Sequence, residues 1–191
     1  MAETYTFKEN NTFAEQGEHL CAEYLKSIPK TLEVYDVRHY EDCRENDIDF
    51  FWLHDDKEKG YPYKKVDVKT DKQRKWGNFF FETVSNCEKN TLGCFMKTDS
   101  DYFLYLFVEY DEKSKKITKK YDMYFLEIEP VREWFNKVKH NYEDKTPKTY
   151  YDNNDKSKGS YSSKGKAVPI SDVLKEFPDT IKVTFNEYLN N

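Results

Sequence analysis

An α/β domain, with a mixed central β-sheet flanked by helices, is the fold this sequence predicts, on three observations. A capped amphipathic stretch at 12–26 reads as a helix. Four short strand-like runs follow it closely. A strongly apolar run at 102–110 then comes before a helix opened by Pro130. Helix, strands, a link, more strands and a helix in that order place a mixed sheet between helices.

Each element has its own warrant. Thr12 with Glu15 three residues later is a capping-box signature. Phe13, Gly17, Leu20, Cys21 and Tyr24 recur at helical spacing, Glu18 lies beside that stripe, and Pro29 ends the helix. Strands are expected at about 32–38, 47–54, 63–70 and 78–84, parted by charged or Gly/Pro-bearing turns such as 55–60. The 102–110 run reads as a buried central strand, and 121–128, beyond a lysine-rich turn, as the return arm of a hairpin. Pro130 in a first turn opens a helix to about Lys139. Ser171 is a candidate cap for a short helix after Pro169. The run at 180–189 suits strand or helix equally.

The stretch 140–166 is rich in Lys, Asp, Asn, Ser, Tyr and Gly with almost no aliphatic residue, so a mobile polar surface loop is expected there. A flap that orders on a substrate is the second reading. The whole chain, 1–191, reads as a single domain with its core in 12–139 and 167–191.

Composition narrows the function classes. Hydrophobic residues are 37% of the chain but aromatics reach 17%, so Tyr and Phe must supply much of the core. Mean hydropathy is -1.01 and no apolar run approaches twenty residues, which excludes a membrane-spanning helix. The N-terminus lacks a basic stretch followed by an apolar one, so the expected location is cytoplasmic. Cys21, Cys43, Cys87 and Cys94 show no C-x-x-C spacing and are expected as free thiols. A net charge of -5 argues against non-specific coating of nucleic acid, yet 64–75 holds six Lys or Arg against two Asp.

Two acidic clusters carry the chemistry. Asp47-Ile48-Asp49 and Asp67-Val68-Lys69 each lie in an apolar, strand-like run. The spacing of Asp67 and Lys69 puts both side chains on one face of a strand. An ion pair alone rarely offsets the desolvation of such groups. A divalent metal and a phosphate would: carboxylates hold the cation and the lysine faces a water or the developing charge. Asp47 and Asp49 share a face, so either could be the ligand. Asp49 is favoured because Ile48 and Phe50-Phe51-Trp52 set it deeper in the strand, with Asp47 expected at the turn. Asp71 extends the same face but lies past the strand, at the surface. His19, His39, His54 and His140 form no ligand pattern.

Gly17-Glu18 in an early helix, Ile48-Asp49 in a hairpin strand and Asp67-Val68-Lys69 in the next strand resemble the PD-(D/E)xK nuclease superfamily. The likeness is greatest to its restriction-endonuclease-like and Holliday-junction-resolvase-like branches, found in phages and bacteria. It covers roughly residues 12–84. A lone D-x-K is weak in a chain that is 35% charged; in a valine-rich strand preceded by I-D-F-F it is far more specific. The first motif reads I-D rather than P-D and the second carboxylate is Asp rather than Glu.

The resemblance implies a restriction-endonuclease-like core and Mg²⁺- or Mn²⁺-dependent hydrolysis of phosphodiester bonds in DNA. It implies Glu18, Asp49 and Asp67 as metal ligands, Lys69 as the residue that orients or helps deprotonate the attacking water, and a homodimer as one way to cut both strands. Burial and a nearby metal would lower the Lys69 pKa, while the two carboxylates pull the other way. Lys72, Arg74, Lys75 and Asn78 are the expected substrate contacts, with Trp76 either stacking on a base or packing at the core edge. The alternatives are a catalytically silent nucleic-acid- or protein-binding module of the same fold, and an unrelated α/β interaction protein.

Overall fold

The computed structural model describes residues 4–55, 63–72, 77–151 and 159–185. Their order is β1 (Thr4–Thr6), α1 (Phe7–Ser27), β2 (Thr31–Asp36), α2 (Glu41–Glu45), β3 (Phe50–His54), β4 (Tyr63–Asp71), β5 (Asn78–Asn86), β6 (Thr91–Leu92), α3 (Cys94–Lys97), β7 (Tyr102–Asp111), β8 (Lys116–Glu127), α4 (Ile128–Val138), β9 (Asp144–Lys145), β10 (Lys148–Tyr150), β11 (Ser160–Ser162), β12 (Lys164–Pro169), α5 (Ile170–Glu176) and β13 (Ile181–Phe185).

A six-stranded mixed sheet runs in the order β13-β8-β7-β4-β3-β2. β2, β3 and β4 pair antiparallel in sequence, β4 and β7 pair parallel, and β7–β8–β13 are antiparallel again. The sheet is covered on both faces, which is why β7 reads as an unbroken apolar run. Phe103 to Val108 are all buried, as expected of a central strand.

Alternation along the strands builds two cores. On one face Val66 and Val68 of β4, Phe50 of β3 and Leu104 and Leu106 of β7 meet Phe13, Cys21 and Leu25 of α1. On the other, Phe103, Tyr105 and Phe107 meet Phe79 and Phe81 of β5, Phe95 of α3, Val168 of β12 and Val131 and Phe135 of α4. β5 and β12 belong to a second sheet, β6-β5-β12-β9. The aromatic richness is spent here: Phe81 and Phe95 stack with centroids 4.0 Å apart, and Phe135 meets both edge-on.

The structure departs from expectation in three places and settles a fourth in part. α1 begins at Phe7, so Thr12 lies inside the helix and does not cap it. α5 begins at Ile170 with Pro169 before it, so Ser171 is already helical. The 140–166 stretch is not featureless, because β9, β10, β11 and the start of β12 fall within it. These strands lack an apolar period because they pair by backbone along short, half-exposed edges. The run at 180–189 resolves as strand over Ile181–Phe185.

Candidate active site

Three segments converge at the middle of the large sheet. The first is α1, which lies directly against β4. A methyl group at Gly17 would sit 1.8 Å from Thr70 Oγ1, so only glycine lets the helix approach this closely. Glu18, the next residue, is thereby delivered to the sheet, where its half-buried carboxylate is gripped by Arg38 Nη1.

The second is the turn into β3. Asp47 adopts a left-handed conformation (φ 50°), so it belongs to the turn and does not share a strand face with Asp49. Asp49 precedes β3 and is fixed on both sides: its N–H donates to the Val66 carbonyl (2.8 Å) and its carbonyl accepts from Val37 N–H (3.0 Å). Its Oδ2 accepts from the Val68 N–H at 2.7 Å, linking the Asp49 carboxylate to the strand that carries Asp67.

The third is β4 itself. Asp67 is 7% exposed and Lys69 is half-buried on the face opposite α1, as period-two geometry requires. Asp67 Oδ2 is buried and accepts no hydrogen bond from the described residues. Lys69 Nζ has Cys94 Sγ of α3 as its neighbour at 3.9 Å. Asp71 is inside β4, half-buried, and accepts from the Tyr105 hydroxyl at 3.2 Å; it is not the surface residue expected past the strand end.

The electrostatics reflect crowding of negative charge. Burial first, and then the neighbouring Glu18 carboxylate, push the Asp49 carboxyl up to about 7. Burial, then Asp49 and Asp47, hold Asp67 well above the usual carboxylate range against the pull of Lys69. Burial also raises Glu18, with Arg38 opposing it. At Lys69 the opposing pulls resolve upward: Cys94 first, and then Glu82, Asp67 and Asp71, hold its ammonium above the usual range against burial.

Of the other expected contacts, Lys72 pairs with Glu112 (3.4 Å) and lies 4.0 Å over the Tyr110 ring. Asn78 opens β5 and pairs with Pro169. Arg74, Lys75 and Trp76 lie outside the described residues.

Sequence reasoning missed Arg38, Cys94 and Glu82. Glu82 accepts the Cys94 N–H at 3.1 Å and bears on Lys69 across the two sheets. Nothing local marks these residues, because they reach β4 only through tertiary packing. Among the described residues no group of three or more His, Cys, Asp or Glu has metal-holding geometry. A half-buried and a buried carboxylate, the latter with an oxygen unpartnered among the described residues, nevertheless suit Mg²⁺, which binds through one or two carboxylates and keeps its waters. Comparison with protein-family models, curated proteins and solved structures finds no match.

Proposed function

We propose that this chain is a metal-dependent endonuclease that hydrolyses phosphodiester bonds in DNA, with a restriction-endonuclease-like core. The observation that carries the reading is the carboxylate pair of half-buried Asp49, at the entry to β3, and buried Asp67 on the adjoining β4, with an Asp67 oxygen that has no donor among the described residues and Lys69 two residues along the same face. Buried polar groups are almost always partnered, and desolvated carboxylates crowded so that Glu18 raises Asp49 and Asp49 raises Asp67 call for a cation. The α1–β2–β3–β4 order, followed by β7 parallel to β4, also agrees with the resemblance.

Asp49 and Asp67 would hold Mg²⁺ or Mn²⁺, with Glu18 joining directly or through a water, and the cation would supply charge neutralisation at the scissile phosphate. Asp49 is pre-set for this by Val68 N–H, so little reorganisation attends binding. Lys69 donates to the attacking water or to the oxygen on which negative charge grows, and the dry site strengthens that interaction. A catalytically silent module of the same fold is the second reading, favoured by the grip of Arg38 on Glu18, which satisfies that carboxylate without a metal.

The test is cleavage of plasmid, linear duplex, single strand and four-way junction in Mg²⁺, Mn²⁺ or EDTA, comparing wild type, Asp67→Ala and Lys69→Ala. Metal-dependent cutting that both substitutions abolish is the expected result. A folded wild type that cuts none of these substrates in either metal would sink the enzyme reading.

A further inference from the structure

Arg38 stands just beyond β2, at the Glu18 end of the carboxylate group. Its guanidinium is set by a fork: Nε donates to Asp36 Oδ1 at 2.9 Å and Nη2 bonds Asp36 Oδ2, while the Arg38 N–H returns to Asp36 Oδ1 at 3.2 Å. The cation also lies 5.5 Å from the Phe50 ring centroid, close to the strand that follows Asp49. Asp36 therefore fixes the plane of the guanidinium by itself. The other edge, through Nη1, is turned to Glu18.

One acid is enough to orient this arginine, and the second contact spends a donor on the candidate metal site. The side chain is 33% exposed, so solvent and a ligand reach it. A guanidinium is permanently charged and its fork matches phosphate oxygens, which a lysine in the same place would meet only as a point charge. Lys69 and Arg38 are the cations that bear on the carboxylates, Lys69 on Asp67 and Arg38 on Glu18 and Asp49.

We propose that Arg38 is a phosphate-binding residue of this site: Glu18 occupies its Nη1 edge while the site lacks a cation, and releases that edge to a backbone phosphate of the nucleic acid when a divalent cation engages the carboxylates. The proposal rests on the nuclease reading and adds a switch to it. Metal and substrate then bind with positive coupling, because Glu18 cannot serve the cation and Arg38 fully at once.

The test is binding, not cleavage. Anisotropy of a labelled DNA duplex and a labelled single strand is titrated against salt, in EDTA and in Ca²⁺, for wild type, Arg38→Ala, Glu18→Gln and the double variant. In Ca²⁺, Arg38→Ala weakens binding about tenfold and lowers the salt slope by about one, the signature of one lost phosphate contact. In EDTA, where Glu18 already occupies Arg38, its effect is smaller. Glu18→Gln tightens binding in EDTA, and the double variant loses that gain. Should Arg38→Ala melt below assay temperature, Arg38→Gln replaces it.

Equal slopes and affinities for wild type and a folded Arg38 variant in Ca²⁺ would overturn the proposal even if the wild type cuts DNA. An Arg38-dependent slope in a chain that never cuts would leave Arg38 a phosphate contact and remove the nuclease reading alone. Absence of binding to either probe would overturn both.

Discussion

Asp49 is the residue with the clearest physical signature. Its carboxyl is pushed up to about 7 from 3.8, so the folded chain keeps a proton that the unfolded chain has released. Stability conferred by that proton is present at low pH and is lost as pH rises from about 4 through about 7. Asp49→Asn keeps an acceptor for Val68 N–H and cannot ionise. The variant is therefore expected to be more stable than wild type at pH 8, on the order of 3 kcal/mol, and little different near pH 4. Urea unfolding at the two pH values checks this; parallel curves for the two proteins would refute it. Mg²⁺ at millimolar concentration should recover the same loss at pH 8, raising the wild-type melting temperature but not that of Asp67→Ala. At this scale the sequence was partly legible. The spacing of Asp67 and Lys69 was enough to place them on one face, because a strand's period is local. The protonation of Lys69 was not legible, because Cys94 and Glu82 reach it from α3 and β5.

Elements decide whether these residues meet. α1 reaches β4 through Gly17, and Thr70 opposite is β-branched, with little rotamer freedom to move aside. Gly17→Ala is expected to destabilise the fold by roughly 1–3 kcal/mol through overpacking, and to displace Glu18 from the sheet. Thr70→Ala in the same chain should restore part of the loss, and a double-mutant cycle in denaturant measures it; additivity of the two changes would count against direct contact. α1, β4, β7 and β8 were readable because each carries a period or an apolar run longer than one turn. β9 to β11 were not, since pairing along polar edges leaves no pattern in the side chains. Arg38 escaped notice for a related reason: it follows a strand end, where position carries no periodic meaning.

For the molecule as a whole, the six-stranded sheet is a plate with a core on each face, and the two faces do different things. The α1 face supplies Glu18 and fixes Asp49, while the face toward β5 supplies the surroundings of Lys69. On the proposed nuclease reading, stability and cleavage are therefore coupled through the second core. Phe95→Ala removes a stacked ring from that core and is expected to cost roughly 3–5 kcal/mol. Because Phe95 adjoins Cys94 in α3, it should also lower cleavage more than Phe135→Ala, which thins the same core from α4. Melting curves and cleavage rates on the two variants decide it, and equal losses of activity at equal stability would refute the coupling.

The parallel pairing of β4 with β7 has a consequence in time. β2, β3 and β4 can zip as neighbours along the chain, and so can β7 and β8. Joining these two ladders requires the chain to cross through β5, β6 and α3 first. Long-range closures of this kind come late on a folding pathway. Asp67 and Lys69 lie on the strand where the two ladders meet. A partly folded chain can thus set Asp49 beside Asp67 within the first ladder, while the Cys94 and Glu82 surroundings of Lys69 are completed only when the seam shuts.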